Sequence, residues 1–176
     1  MTISTSSGVS YSPGSPIQPS GDPLLSGLGP AAFADRSDHP DLTAHGEPKV
    51  VPMRVAQNFY VEPRDPDPRG MTMLGADGAV AGTVVDLWVD RSEPQVRYYE
   101  VELHDGAGVV LAPFAVCKVV ARQGIVRTKA ILAAQFANVP RPSNPDQVSL
   151  LEEDRIMAYF AGGYLYATPD RARPLV

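Results

Sequence analysis

The sequence predicts a mainly β protein: a small antiparallel barrel, preceded by an extended proline-rich segment and followed by one C-terminal helix. Three observations support this fold class. Short runs that alternate apolar and polar residues follow one another from residue 80 to 128, eight prolines fall between residues 22 and 70, and a helix-start signal begins at Ser149. Several short strands with regular turns are typical of a small barrel or sandwich.

The strands are predicted from period-two alternation. In residues 80–90, Val85, Leu87 and Val89 are expected on one face and Asp86, Trp88 and Asp90 on the other. Asp105-Gly106 is a strong hairpin signal. The remaining predicted elements are a turn over 91–95 and strands over 97–104, 109–111, 114–120 and 125–128.

The helix is predicted from its N-terminal capping box, Ser149-Leu150-Leu151-Glu152, in which each end residue can hydrogen-bond the backbone of the other. It is expected to run from Leu150 to about Leu165. Its second half is apolar almost all round, so it should be buried on more than one side. Gly162-Gly163 would permit close backbone approach.

Four regions follow from these patterns. Residues 1–21, with seven serines and three prolines, are expected to be a flexible tail, or alternatively an expression tag. Residues 22–70 form an extended wrapping segment, because proline blocks helix and central strand while the apolar residues still require burial; we expect a partner surface rather than the chain's own. Residues 71–140 form the barrel, and residues 141–176 the helix and tail packed on it.

Composition excludes several classes of function. The formal net charge of -5 does not suggest a nucleic-acid partner, and the single cysteine, Cys117, excludes an internal disulfide and a multi-cysteine zinc site. The longest uncharged apolar stretch, residues 156–169, is shorter than the roughly 20 residues of a spanning helix. No nucleophile with a base and no phosphate-binding loop is present, so we do not predict an enzyme.

Three stretches, in order, resemble a known family. The first runs from Gly21-Asp22-Pro23 through Asp38-His39-Pro40 to His45-Gly46; the second is Gly82-Thr83-Val84-Val85-Asp86-Leu87-Trp88-Val89-Asp90 with Glu93, Arg97 and Glu100; the third is Leu150-Leu151-Glu152-Glu153-Asp154 with Ala161-Gly162-Gly163. Over residues 21–170 the chain resembles the H subunit of a purple-bacterial-type photosynthetic reaction centre, in its cytoplasmic PRC-barrel part. The transmembrane helix with which that family usually begins is absent, as expected of either a split subunit or an excised domain.

The resemblance implies an accessory, non-catalytic subunit of a type II reaction centre. Such a subunit lies on the cytoplasmic face of the photosynthetic membrane, caps and stabilises the L and M subunits, and relays protons towards the secondary quinone. It binds no cofactor directly; bacteriochlorophyll, bacteriopheophytin, quinone and iron belong to partner subunits. A separate transmembrane H-type polypeptide and the light-harvesting antenna are further expected partners, and nucleic acid is not.

The resemblance also implies roles for particular residues. Glu93 and Asp90 match acidic residues of the family's proton path, and Asp86 is expected to extend the same cluster. His45 matches a histidine at the proton entry, where Glu47 replaces a second imidazole. No metal site is predicted, and His45 is the only candidate ligand for a transition metal there.

Five charged residues are predicted to act through electrostatics or at an interface: Arg97, Glu100, Glu152, Glu153 and Asp154. Arg97 is expected to pair with Asp90 or Glu93, or to contact the core subunits. The acidic residues at 152–154 also suit the positive end of the helix dipole, which is a sufficient structural reason for at least two of them.

A different class of function remains open on sequence alone. A free-standing PRC-barrel adaptor, binding a protein or ribonucleoprotein partner, would have the same barrel. The proline-rich segment and the apolar helix, which an adaptor does not need, favour the reaction-centre subunit.

Overall fold

The computed structural model describes residues 3–4, 10–11, 17 and 19–173. The strands are β1 (Ile3–Ser4), β2 (Ser10–Tyr11), β3 (Val50–Pro52), β4 (Thr72–Leu74), β5 (Val80–Asp90), β6 (Gln95–Leu103), β7 (Val109–Pro113), β8 (Cys117–Val120) and β9 (Ile125–Thr128), and the helix α1 spans Leu150–Tyr166. β1 and β2 pair antiparallel with each other. The predicted flexibility of residues 1–21 falls mostly outside the described residues.

Seven strands, β3 to β9, form one sheet in which the hydrogen-bonded path runs β7-β6-β5-β4-β9-β8, with β3 added to β5. Every pair is antiparallel except β4 and β9, which run parallel. A parallel pair needs a long connection between its strands, and here four strands of the sheet, β5 to β8, lie between β4 and β9 along the chain. The predicted mainly β, antiparallel fold class is confirmed, with β4 and β9 as the one parallel pair among the described strands.

β5 is the central strand and organises the candidate site. One edge pairs with β6 along nearly its whole length, while the other edge pairs with β4 at its start and with β3 at its end. Asp90, the last residue of β5, therefore lies opposite Val50 of β3 and Gln95 of β6. The chain segment before β3 and the turn after β5 are brought together at this end of the sheet.

The predicted alternation of β5 is wrong in detail. Val85 is 41% exposed, whereas Asp86 to Asp90 are all buried, so the strand does not have one solvated face. Register shifts against β6 between Val84 and Asp86 and between Trp88 and Val89 are the cause, because a bulge changes the face that the following residues occupy. Asp86 and Asp90 are covered by ion pairs with Arg54 and Lys49.

The predicted strand over 114–120 also needs correction. Residues Phe114–Val116 form a 3-10 turn, and the strand begins only at Cys117. Pro113 ends β7 at this point, and its fixed backbone leads into the turn. A further 3-10 helix spans Ala133–Asn138. Other 3-10 helices span Pro23–Leu25, Gly29–Ala31, Ala121–Gln123 and Pro169–Ala172.

The N-terminus of α1 has the predicted capping box. Ser149 accepts from the Glu152 N–H, and the Glu152 carboxylate accepts from the Ser149 N–H at 2.9 Å. Two further N–H groups of the first turn, on Leu150 and Leu151, donate to carbonyls of the segment at 37–39. The helix start is thus fully satisfied, and the extended segment is fixed to it.

The paired glycines of α1 do permit close approach. A Cβ on Gly163 would lie 2.2 Å from the Ala130 carbonyl oxygen, and a Cβ on Gly162 would lie 2.8 Å from the Ala31 Cβ. The helix therefore packs on the barrel on one side and on the extended segment on the other. Within the described residues, no helix is both long and apolar enough to cross a bilayer.

The extended segment packs largely on its own chain. Its buried apolar residues, Leu24, Ala31, Val50, Val51, Met53 and Ala56, lie against the barrel and α1. The expectation that a partner covers the segment is wrong for these residues. Leu25, Phe33 and Tyr60 remain exposed.

Candidate functional site

Asp90 is the centre of a buried charge cluster. It is 1% exposed, and its Oδ1 accepts from the backbone N–H groups of Ser92 at 2.8 Å and Glu93 at 3.1 Å. Its Oδ2 lies 3.5 Å from Arg97 Nη1 and 3.7 Å from Lys49 Nζ. An aspartate that binds the backbone two and three residues ahead fixes a tight turn, so the residue type explains both the turn and the position of the carboxylate.

Arg97 extends the cluster to the helix. Its Nη2 lies 3.1 Å from Glu153 Oε1, which also accepts the Tyr98 hydroxyl at 2.9 Å. Of the two partners predicted for Arg97, Asp90 is confirmed, while Glu93 forms no ion pair with it in the described structure. Glu153, predicted only as an electrostatic residue, thus becomes part of the same network.

The ionisation of Glu153 and Tyr98 is altered by burial. Desolvation raises the pKa of Glu153 above its usual value, although the hydrogen bond from Tyr98 and the charge of Arg97 oppose the change. Desolvation, together with the adjacent Glu153, raises the pKa of Tyr98. Glu153 is therefore a carboxyl that can hold a proton closer to neutral pH than an exposed glutamate can.

Lys49 connects Asp90 to the surface. Its ammonium also lies 3.6 Å from Asp41 Oδ2. We call these five residues, Asp41, Lys49, Asp90, Arg97 and Glu153, the Asp90 cluster. All except Asp90 line a hollow of about 320 Å³, which Arg36 and Asp154, themselves paired at 3.3 Å, also border.

His45 and Glu47 lie in an exposed turn beside this cluster. The Thr43 N–H donates to the Glu47 carbonyl at 2.8 Å, which closes the turn, and the Glu47 carboxylate lies 3.6 Å from Arg91 Nη1. Arg91 belongs to the turn after β5, so the predicted entry residues and the predicted relay residues are neighbours. Within the described residues, no group of three or more ligand-type side chains could hold a metal ion.

Glu93 occupies the exposed part of the turn that Asp90 fixes. Its backbone N–H is bonded to Asp90, whereas its side chain forms no hydrogen bond or ion pair with any described residue. The carboxylate of Glu93 is therefore available to solvent or to a partner.

Asp86 belongs to a second cluster, which we call the Arg54 cluster: Arg54, Asp86, Glu100 and Asp146. Arg54 Nη1 lies 3.2 Å from Asp86 Oδ2 and 2.8 Å from Glu100 Oε2, and its Nη2 lies 3.1 Å from Asp146 Oδ1. The Trp88 indole N–H donates to Glu100 at 2.6 Å. The expectation that Asp86 joins Asp90, Glu93 and Arg97 is not met by its contacts, because its ion-pair partner is Arg54 of the extended segment.

Arg54 and Lys49 were missed by the sequence reasoning. Both come from the proline-rich segment, and Arg54 lies 32 residues before Asp86. Burial opposes the charged form of Arg54, but the hydrogen bond and charge of Glu100 raise its pKa overall. The only sequence signal was the presence of single basic residues directly flanking the apolar run that became β3.

Glu152 and Asp154 have structural contacts. Glu152 closes the capping box and also accepts from the Ser143 N–H at 2.8 Å. Asp154 pairs with Arg36 of the extended segment. The Glu152 contacts agree with the alternative, noted from the sequence, that acidic residues here serve the start of the helix, whereas the Asp154 pair ties the helix to the extended segment.

Two family models match the chain in sequence order. Residues 4–55 match the N-terminal region of the photosynthetic reaction-centre H chain, and residues 62–132 match the PRC-barrel domain. The chain thus joins a region similar to the reaction-centre H chain to a PRC-barrel domain. The first match begins at residue 4, well before the resemblance seen from residue 21, which argues against the alternative that the serine-rich stretch is an expression tag.

The Asp90 cluster unites the two matched regions of this H-type chain. Asp41 and Lys49 come from the H-chain N-terminal region, and Asp90 and Arg97 come from the PRC-barrel domain. Glu153 lies beyond both matches, on α1. The two matches together indicate a subunit of a photosynthetic reaction centre.

Proposed function

We propose that this H-type chain caps the cytoplasmic face of the L and M subunits and relays protons towards the secondary quinone. The observation that carries the proposal is the buried Asp90 between two cations, joined through Arg97 to a carboxyl whose pKa burial raises. Bacteriochlorophyll, bacteriopheophytin, quinone and iron would be held by the partner subunits, and a separate transmembrane H-type polypeptide would anchor the chain beside the antenna.

Proton entry is assigned to the exposed turn that carries His45 and Glu47. An exposed imidazole and an exposed carboxylate in one short turn offer proton-accepting groups to the solvent. Arg91 links Glu47 to the turn after β5, and the Arg91 N–H donates to the Lys49 carbonyl at 2.9 Å. Entry and relay residues therefore share one rigid end of the sheet.

The middle of the path is assigned to the Asp90 cluster. Successive charged atoms from Asp41 through Lys49, Asp90 and Arg97 to Glu153 are separated by 3.6, 3.7, 3.5 and 3.1 Å. Proton transfer needs titratable groups within direct contact or one water of each other, and the spacings from Asp41 through Lys49 to Asp90 meet that requirement. Arginine does not release its proton, so Arg97 acts by orienting Asp90 and Glu153 and by adjusting their charge.

Glu93 is assigned to the exit towards the core subunits. Asp90 fixes its backbone, while its carboxylate is left without a partner in the described structure. A rigid backbone with a free acidic side chain suits a group that must accept a proton on one side and deliver it on another. For Asp86 the contacts favour a different role, because Arg54 and Glu100 enclose it and tie the extended segment to the barrel.

The proposal is tested with L and M subunits purified without their H chain. Addition of this chain should yield a complex that copurifies with bacteriochlorophyll and bacteriopheophytin absorption, and it should accelerate the proton-coupled second reduction of the secondary quinone after paired flashes. A chain that binds but leaves this rate unchanged would remove the relay part of the proposal. A chain that does not copurify would remove the capping part.

A further inference from the structure

β7 has an open edge. In the described part of the chain it stands at the end of the hydrogen-bonded path and has β6 as its only neighbouring strand. An open edge presents N–H and C=O groups that can pair with another polypeptide. The question is which groups of β7 point away from β6.

Two backbone hydrogen bonds at the end of β6 show which residues face β7. The Leu103 N–H donates to the Gly108 carbonyl on the β7 side, and the His104 N–H donates to the Ala81 carbonyl on the β5 side. Backbone direction alternates along a strand, so odd-numbered residues of β6 bond towards β7 and even-numbered residues towards β5. This order holds across β6 and β7, where no register shift occurs.

Val109 and Leu111 therefore direct their backbone groups to the open edge, since they lie opposite the even-numbered Glu102 and Glu100. No described backbone group outside the strands bonds to either residue. Leu111 is only 2% exposed. Buried backbone groups are nearly always hydrogen-bonded. The N–H and C=O of Leu111 have no partner among the described residues, which indicates that another polypeptide supplies one.

A hollow of about 430 Å³ lies beside this edge. It is bounded on the opposite side by residues 141–145, which we call the proline strap. Pro142 and Pro145 of the strap have no N–H to donate, so the strap cannot pair with β7 as a strand would. The apolar side chains that line the hollow are Trp88, Val109, Val110, Leu111, Pro142 and Pro145.

Arg141 gives the hollow a charge. Its Nη2 donates to the Ala107 and Ala137 carbonyls, which hold the guanidinium in place. Arg141 forms no salt bridge with any carboxylate among the described residues, unlike Arg54, the other arginine of the lining. A fixed guanidinium with unused N–H groups suits a carboxylate.

We propose that the edge of β7 binds a short extended segment of a partner polypeptide, which pairs with Val109 and Leu111 and places a carboxylate on Arg141. Addition of a strand to an open edge is a known mode of peptide recognition, in which main-chain bonds give affinity and neighbouring pockets give specificity. The proposal does not depend on the reaction-centre role, and it can be tested on the full chain alone.

The test uses the synthetic peptide acetyl-Thr-Val-Thr-Val-Glu-amide as probe. Trp88 is the only tryptophan of the chain and lines the hollow, so its fluorescence should change saturably on titration. In amide NMR spectra the shifts of Val109 and Leu111 should exceed those of Val110 and Ala112. Arg141→Gln should weaken binding about tenfold, the usual effect of losing one charge-assisted hydrogen bond, while Arg122→Gln, at an exposed site elsewhere, should not.

Three results would overturn the proposal. The first is no saturable change in fluorescence. The second is equal binding of the same peptide with alternate amides N-methylated, or full displacement by decanoate, since either would mean that the hollow takes an apolar or amphiphilic ligand without strand pairing. The third is slow hydrogen exchange at the Leu111 amide of the free chain, as slow as at Val110, because that would mean the edge is already paired.

Discussion

Arg97 and Glu153 are 56 residues apart in sequence, yet their side chains meet at 3.1 Å. The contact joins strand β6 to helix α1, and through Arg97 it reaches Asp90 at the end of β5. A single guanidinium thus connects the turn predicted to carry protons with a helix that lies outside both matched family regions. The consequences of this network can be measured.

Glu93→Gln should slow the proton-coupled second reduction of the secondary quinone in the reconstituted complex while leaving assembly unchanged. The side chain makes no contact in the described structure, so the free energy of unfolding should change by less than about 0.5 kcal/mol. Flash kinetics and urea denaturation measure the two effects. Glu62→Gln, another exposed glutamate, serves as the control, and equal kinetics for both variants would contradict the role of Glu93.

Asp90→Asn should destabilise the isolated chain by about 2 to 4 kcal/mol, because it removes the buried charge that Arg97 and Lys49 share and leaves them only Glu153 and Asp41. The amide oxygen can still accept from the turn backbone, so the loss reports the charge rather than the turn. Urea denaturation midpoints at constant slope measure it. The exposed Asp65→Asn is the control; a similar small effect for both would show that the Asp90 ion pairs add nothing.

Glu153 should make stability depend on pH. Burial raises the pKa of its carboxyl above the ordinary glutamate value of 4.5, so the folded state binds a proton more tightly than the unfolded chain does. Stability contributed by the protonated group is present at and below pH 4.5 and is lost as pH rises through the raised pKa of the folded state. As pH rises through this interval, the free energy of unfolding of the native chain should therefore fall relative to that of Glu153→Gln.

Denaturation of both proteins in parallel, at steps from pH 4 to pH 8, measures that difference and cancels the titration of other carboxyls. Glu102→Gln, at an exposed position of β6, is the matched control. Parallel curves for the native chain and Glu153→Gln would show that burial does not alter the ionisation of Glu153.

Gly163→Ala should destabilise the fold although alanine is the better helix former. A Cβ there would lie 2.2 Å from the Ala130 carbonyl oxygen and 2.6 Å from Ile131 Cγ2, so helix and barrel must separate. Overpacking of this kind costs about 1 to 3 kcal/mol beyond the roughly 1 kcal/mol gained in helix propensity. Thermal unfolding measures the change, with the exposed Tyr164→Ala as control; a stabilised Gly163 variant would refute the close contact.

Arg54→Gln should release the extended segment from the barrel. Buried Asp86 and Glu100 would lose their cation, with an expected cost of about 3 kcal/mol. Limited proteolysis should cleave within residues 22–70 faster than in the native chain. Arg64→Gln, an exposed arginine of the same segment, is the control, and unchanged cleavage in Arg54→Gln would mean that other contacts hold the segment.

The limits of β5 and β9 agree with the prediction because both strands end at clear turn signals, and the helix start agrees because the capping box is encoded in four consecutive residues. The faces of β5 were not predictable from alternation. A bulge inserts an extra residue where two strands pair, so its position depends on the partner strand as well as on β5 itself.

The candidate site likewise contains some residues that could be predicted from the sequence and others that could not. Asp90, Glu93 and Arg97 were predicted as neighbours because a short turn brings β5 back as β6, which is a local event. Lys49 and Arg54 were not predicted, because isolated basic residues in an irregular segment have no periodicity from which a partner could be inferred. Asp86 was assigned to the wrong cluster for the same reason.

The sequence by itself determined the local elements and the family resemblance, since turns, caps and strand alternation depend on neighbouring residues. Only the tertiary structure decided which charges meet. The Asp90 cluster draws on the extended segment, β5, β6 and α1, and its geometry exists only after the hydrophobic core has fixed these elements in place. Burial, which raises the pKa of Glu153, is likewise a property of the folded chain and not of any short stretch of it.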